Sequence, residues 1–175
     1  MMKNALKPTA VFLVLLSTLF ACKKKTDKPI DIVVDDKNLS GCPVGVTCYF
    51  QYVNNASISD HQLTLTTGQY RVFWVRNETF GSRAFYFLAP MIGDKFMLND
   101  KDVAEGRVKY VSNCPTCFSI PMKALSGTVK GVKVVQTSTE SEKWLLESNI
   151  VLATEGGTTP LDTIYFKQYY YPAVQ

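Results

Sequence analysis

Apolar and polar residues alternate along much of this chain with a period of two, which is typical of β-strands. The alternating stretches are rich in β-branched and aromatic residues and are separated by Gly, Pro and Asn. The stretch 70–76 is apolar on both faces, which predicts a central strand that is covered on both sides, and Thr67-Gly68 before it predicts a tight turn. Strands are predicted over 47–53, 62–66, 70–76, 83–88, 107–111, 129–135 and 162–170.

Short strands at regular spacing predict an all-β fold. The favoured architecture is an antiparallel β-sandwich, immunoglobulin-like or similar, and the alternative is a small β-barrel. Two stretches are compatible with a helical turn instead. One is 121–125, and the other is 143–147, which follows a capping box spelled by Thr139 and Glu142. The alternation of Trp144, Leu146, Ser148, Ile150 and Leu152 competes with that second turn and predicts a strand from about Ser148.

The first 21 residues have the parts of an export signal. Lys3 and Lys7 supply positive charge, and an apolar core begins at Val11 and runs to Phe20. That core is much shorter than the ~20 residues that a transmembrane helix needs, so we expect it to be removed. Removal of residues 1–21 from the 175 leaves 154, a length that suits one domain.

The end of this signal, Leu19-Phe20-Ala21-Cys22, resembles the lipobox of bacterial lipoproteins. The resemblance implies a diacylglycerol thioether on Cys22, cleavage before it, and acylation of the new amino group. Several acyl chains together hold a protein stably on a bilayer. Lys23 follows the cysteine where an Asp would signal retention in the inner membrane, so the resemblance favours the outer membrane and leaves open which face the domain occupies. The expected organisation is a signal peptide over 1–21, a lipidated tether over 22–40 and one β domain over 41–175.

The charge of the chain argues against some classes of partner. The formal net charge is +4, and residues 41–175 hold 12 Lys+Arg against 11 Asp+Glu. A body so close to neutral argues against nucleic acid as a partner. The partners expected from the sequence are the membrane, through the lipid, and an envelope protein or a glycan.

Four cysteines remain besides Cys22. An even number in an exported chain predicts two disulfides, and we favour the local pairs Cys42–Cys48 and Cys114–Cys117 among three connectivities. Cys114 and Cys117 also form a CxxC, which in other proteins supports thiol–disulfide exchange. Zinc binding by the four thiols is a further alternative.

Other candidate residues are aromatic or acidic. Trp74 and the triplet Tyr169-Tyr170-Tyr171 are candidates for binding a sugar ring or a partner surface, and consecutive tyrosines cannot all be buried on one face of a strand. A calcium site is the alternative to a solvated surface for the acidic residues Asp94, Asp100, Asp102 and Glu105.

No pattern of catalytic residues stands out, and His61 is the only histidine. We therefore expect a lipid-anchored envelope protein without a cofactor that is not an enzyme and is either a module that binds a partner protein or a carbohydrate, or a structural module. The alternative is a redox module that uses Cys114 and Cys117.

Overall fold

The computed structural model describes residues 31–59, 63–78, 82–113, 120–134 and 142–174. One compact unit begins at Ile32. Within the described ranges, no helix is long and apolar enough to span a bilayer.

The predicted all-β fold is confirmed. The described residues contain one short helix, α1 (Asp100–Ala104), and otherwise strands: β1 (Thr47–Ile58), β2 (Leu65–Thr67), β3 (Tyr70–Glu78), β4 (Ser82–Pro90), β5 (Lys95–Leu98), β6 (Val108–Asn113), β7 (Met122–Val134), β8 (Lys143–Thr154) and β9 (Asp162–Pro172).

These strands form one sheet in the order β5-β7-β8-β9-β1-β3-β4-β6, and β2 pairs with β1 outside this path. Neighbouring strands are antiparallel except β1 and β9, which pair in parallel at Gln51–Tyr171 and Tyr52–Pro172. The two strands that end the sheet, β5 and β6, are neighbours along the chain and are joined through α1. The sheet therefore curls back on itself.

The two halves of the curled sheet pack face to face around one core. The ring of Phe73 on β3 lies 5.5 Å from that of Trp144 on β8, and Phe85 on β4 lies 5.4 Å from Phe166 on β9. Such layered packing agrees with the favoured sandwich. The sheet is open between β5 and β6 as far as the described residues show, unlike the closed barrel of the alternative.

β3 is covered on both faces, as its sequence predicts. Phe73 and Val75 belong to the main core, whereas Val72 and Trp74 belong to a second apolar cluster on the outer face. The turn predicted at Thr67-Gly68 joins β2 to β3. A Cβ on Gly68 would lie 2.5 Å from the Cβ of Ser57, so only glycine allows this close approach.

Two predicted helical turns are wrong. Residues from Met122 are already in β7, and those from Lys143 are already in β8. Pairing with neighbouring strands outweighs local helical preference here, because it buries Trp144, Leu146, Ser148, Ile150 and Leu152 on a single face. Thr139, the expected cap of the second turn, lies outside the described residues.

Candidate binding sites

The first candidate site is a groove of about 490 Å³ on the outer face of β1, which we call the outer groove. Trp74 of β3 borders it and lies directly opposite Gln51 of β1. The exposed strand β2 (Leu65–Thr67) contributes one side, and Ala173 and Val174 contribute another. Ala173 is held there because its N–H donates to the carbonyl of Tyr52 over 2.9 Å.

A β-bulge shapes the rim of the outer groove. The register between β1 and β3 shifts between Val53 and Ala56, which leaves Asn54 and Asn55 out of the regular pairing. Asn55 adopts a positive φ of 55°, a conformation that Asn tolerates better than most residues. Its carbonyl accepts the N–H of Gly68 at 3.0 Å, so the turn before β3 holds the bulge in place. Both Asn side chains are exposed at the groove.

The outer groove combines an apolar base with a polar rim. Trp74 is only 9% exposed, so it is a fixed part of the base, whereas Leu65 is 44% exposed on the β2 side. The rim carries amides from Gln51 and Asn55 and hydroxyls from Thr66 and Thr67, while Oδ1 of Asn54 already accepts a hydrogen bond from Arg71. Every described residue that lines the groove is uncharged. Such a surface can accept and donate hydrogen bonds without selecting for charge.

The second candidate site is a pocket of about 240 Å³ beside the disulfide, which we call the disulfide-end pocket. The predicted bond between Cys42 and Cys48 is present, with a Cα–Cα distance of 5.9 Å. It closes a short loop in front of β1, and Pro43 and Cys48 from this loop line the pocket.

Strand register stacks the pocket residues in two layers, because residues directly opposite each other on paired strands point to the same face. The outer layer contains Cys48, Asn77 and Arg83. The layer below it contains the aligned residues Phe50, Val75, Phe85 and Tyr110. Rings therefore form the base of the pocket, and polar groups form its mouth.

One polar atom at this mouth lacks a partner. The Oδ1 atom of Asn77 is buried and accepts no hydrogen bond from any described residue. A buried acceptor without a partner is costly, and such atoms are rare in folded proteins. Arg83 is exposed and is the only charged residue among the described ones that line this pocket.

The opposite end of the interior holds a polar network. The guanidinium of Arg71 lies 4.2 Å from the centre of the Trp144 ring, and its Nε donates to Oδ1 of Asn54 over 2.8 Å. Glu142 accepts hydrogen bonds from Trp144 Nε1 and the Tyr52 hydroxyl, each at 3.3 Å, and pairs with Lys133 at 2.8 Å.

Charge and burial at this network shift several pKa values. The hydrogen bond from Lys133 is the main cause that lowers the pKa of Glu142. Burial, and secondly the charge of Glu142, raises the pKa of Tyr52 to about 12. Burial lowers the pKa of Arg71.

The predicted aromatic candidates separate into buried and exposed residues. Tyr170 is fully buried, with its ring 5.4 Å from that of Phe50, so it offers no surface to a ligand in this structure. Trp74 is also mostly buried and serves only as part of the groove base. Tyr171 is 47% exposed. Tyr169 is half-buried beside Lys143, whose Nζ lies 4.7 Å from the ring centre.

The four acidic candidates are engaged separately. Asp102 pairs with Arg107 at 3.0 Å and caps α1 together with Asn99, while Asp100 accepts the N–H of Gly127. Glu105 pairs with Lys101, and Asp94 lies 4.0 Å from Lys133. No group of described residues is arranged to hold a metal ion, so the calcium alternative gains no support.

Some predicted features lie outside the described residues: Cys22 with its lipobox, His61, and the pair Cys114 and Cys117. The lipid anchor, the second disulfide and the redox alternative therefore stay predictions. By contrast, part of the expected tether packs on the domain. Asp35 pairs with Lys167 of β9 at 2.9 Å, which lowers the pKa of Asp35, and Ser40 donates its N–H to the Lys167 carbonyl.

Sequence reasoning missed Arg71, Asn77, Arg83 and Glu142 as site residues. The sequence pattern does mark Arg71 as unusual. A charged residue in phase with Phe73 and Val75 must point into the core, where it needs a partner. The chain matches no known protein-family model, no curated protein and no solved structure.

Proposed function

We propose that this protein is held in the bacterial cell envelope, at the outer membrane, by lipid on Cys22, and that its β domain binds neutral carbohydrate without catalysing a reaction. The outer groove carries the binding half of this proposal. Sugar rings present apolar C–H faces and a surrounding set of hydroxyl groups. An apolar base that includes Trp74, surrounded by amides and hydroxyls, complements both features.

The size and charge of the outer groove support a short neutral oligosaccharide. Its volume of about 490 Å³ lies within the range of sites that enclose small ligands. Its described lining residues carry no charge, so they offer no counter-ion to a sulfated or uronic sugar. Glycoside hydrolysis generally needs two carboxylates, and none lines the described part of the groove. These features support binding rather than turnover.

The direct test is titration of the full chain, in detergent, with the neutral disaccharides maltose, cellobiose and lactose and with an anionic disaccharide of uronic acid. Trp144 is fully buried in the core, so a saturable change in tryptophan fluorescence would report on Trp74. We expect at least one neutral disaccharide to bind and the anionic one to bind more weakly. Failure of all neutral sugars would contradict the carbohydrate proposal and favour a protein partner.

Two asparagines allow a matched pair of variants. Asn55→Gly removes a rim amide but keeps a residue that tolerates the positive φ of the bulge. Asn38→Gly makes the same change at a φ of 56° outside the groove. We expect Asn55→Gly to weaken disaccharide binding about fivefold, as the loss of one hydrogen bond would, and Asn38→Gly to leave it unchanged. Equal effects of the two variants would contradict a site at the bulge.

The anchor is tested separately with Cys22→Ser. We expect the wild-type chain to incorporate labelled palmitate and to fractionate with the outer membrane, and the variant to do neither. Labelling that persists in Cys22→Ser would contradict lipidation at this residue, whatever the result of the sugar titrations.

A further inference from the structure

The disulfide-end pocket has the size of a single ring-shaped group. Its volume of about 240 Å³ is below the range that encloses drug-sized ligands. The rings of Phe85 and Tyr110 have their centres 4.8 Å apart, and Phe85 and Phe166 are also in contact at 5.4 Å. Phe50 and Tyr165 also contribute to the aromatic lining. A flat aromatic group packs well against such rings, edge to face or offset.

The mouth of the pocket is positively charged. Arg83 lies one layer above the rings, directly opposite Asn77 in the β3–β4 register. A guanidinium offers a fixed fork of N–H donors that matches a carboxylate, and pairing is strengthened beside an apolar wall. In a ligand whose carboxylate carbon lies two or three bonds from an aromatic ring, the ring would contact the aromatic side chains and the carboxylate would pair with Arg83.

Asn77 adds a second polar contact at the same level. Its Oδ1 atom is buried without a partner among the described residues, so its present orientation carries an energetic cost. Rotation about the terminal side-chain torsion turns either the oxygen or the NH₂ group toward the pocket, since this torsion is broad and two-fold. A ligand that donates a hydrogen bond next to its carboxylate, as an N-acylated amino acid does, would remove this cost.

We infer that the disulfide-end pocket is a second binding site, for a small aromatic carboxylate, whose ring packs among Phe50, Phe85 and Tyr110 and whose carboxylate pairs with Arg83. This chemistry has two sources, a free aromatic acid or the C-terminal residue of a protein. The site is independent of the outer groove, which has different residues and no charge.

The test compares ligands that differ only in charge. N-acetyl-L-phenylalanine and its neutral amide are titrated into the full chain in detergent, by calorimetry and by NMR of the Asn77 side-chain amide. We expect the carboxylate to bind at least tenfold more tightly than the amide, which corresponds to about 1.4 kcal/mol. Equal binding of the two ligands, or no binding by either, would overturn the inference.

Arginine variants locate the charge effect. Arg83→Gln should reduce binding of the carboxylate about tenfold, to the level of the amide, and Arg83→Lys should restore part of it. Arg76→Gln is the matched control, because Arg76 lies on β3, pairs with Glu78 and does not line the pocket. Circular dichroism checks that each variant is folded. If Arg76→Gln weakened binding as much as Arg83→Gln, the inference would be wrong.

The two sources are separated with phenylacetate and the tripeptide Gly-Gly-Phe. Tighter binding of phenylacetate would identify a free aromatic acid as the ligand, and tighter binding of the tripeptide would identify a protein C-terminus. Either result supports the site, whereas failure of both would count against it.

Discussion

The two ends of the interior differ in how their polar side chains are partnered. At one end, Arg71, Glu142 and Lys133 bring charge into a partly buried region, where Glu142 forms an ion pair with Lys133 and its charge also favours the charged form of Arg71. At the other end, Asn77 keeps a buried oxygen without a described partner beside a pocket that is lined by rings. Among the described residues, the first end leaves Nη1 of Arg71 without a hydrogen-bond partner, and the buried hydroxyl of Tyr170, which lies opposite Trp144 in the β8–β9 register, also lacks one. The second end accepts an energetic cost, which is common at binding sites.

The largest difference should appear when an aromatic residue is removed from each end. Trp144 is fully buried and contacts Phe73, Phe96 and Arg71. We expect Trp144→Ala to lower the free energy of unfolding by about 3–5 kcal/mol. Tyr110→Ala should cost clearly less, since Tyr110 is half-buried and already borders a cavity. Urea denaturation measures both, and equal losses would remove the proposed difference between the ends.

Removal of the disulfide should have the next largest effect on the free energy of unfolding. We expect Cys42→Ser combined with Cys48→Ser to lower the free energy of unfolding by about 2 kcal/mol, because the bond closes only a short loop. The same variant should weaken binding of N-acetyl-L-phenylalanine, since Cys48 lines the pocket. Serine variants are preferable to a reductant, which would also act on other cysteines. Unchanged stability in urea would show that the loop is held without the bond.

The variant Glu142→Gln tests the end of the interior that holds the polar network. Glu142 accepts hydrogen bonds from Trp144 and Tyr52 and pairs with Lys133, so we expect a loss of about 1 kcal/mol at neutral pH. Because the pKa of Glu142 is lowered from 4.5 in the folded protein, its contribution is complete above that pH. This stabilising contribution is lost as the pH falls through the lowered pKa of Glu142 in the folded protein.

The difference in the free energy of unfolding between wild type and Glu142→Gln should therefore shrink as the pH falls below 4.5. Denaturation curves at several pH values measure it. Glu147→Gln serves as a control on β8, and a constant difference across this range would contradict a role for the ionised carboxylate.

The smallest effect on the free energy of unfolding is expected for Asn77→Leu, and it should have the opposite sign. This change removes the buried oxygen that lacks a described partner, so stability should stay constant or rise by up to about 1 kcal/mol. Binding of the aromatic carboxylate should weaken in the same variant. A clear loss of stability would mean that Asn77 supports the fold, and the contrast between the two ends would fail.

The alternation of apolar residues was enough to predict most strands, because burial on one face is a local property of sequence. Trp144 to Leu152 illustrates this, since even Ser148 follows the pattern and is fully buried. β5 has four residues, too few for a period to be visible. Its strand conformation depends on β7, where Gly131 leaves space for the ring of Phe96. The capping box of α1, by contrast, is local, because Asn99 and Asp102 are only three residues apart.

The candidate sites were harder to predict than the strands. Trp74 was identified from sequence, but its groove depends on a bulge at Asn54 and Asn55 that no local pattern marks. The disulfide-end pocket unites residues from β1, β3, β4, β6 and β9, and only the three-dimensional register aligns them. Arg83 and Asn77 are ordinary polar residues in the sequence and become site residues through this alignment.

The parallel pairing of β1 with β9 has a consequence for biogenesis. It joins Gln51 to Tyr171 and Tyr52 to Pro172, so β1 lacks this neighbour until β9 has been synthesised. Contacts between such distant parts of a chain form slowly, because a large loop must close first. The pairing of β1 with β9 is therefore completed only after β9 has been synthesised, and until then this edge of β1 is without its neighbour.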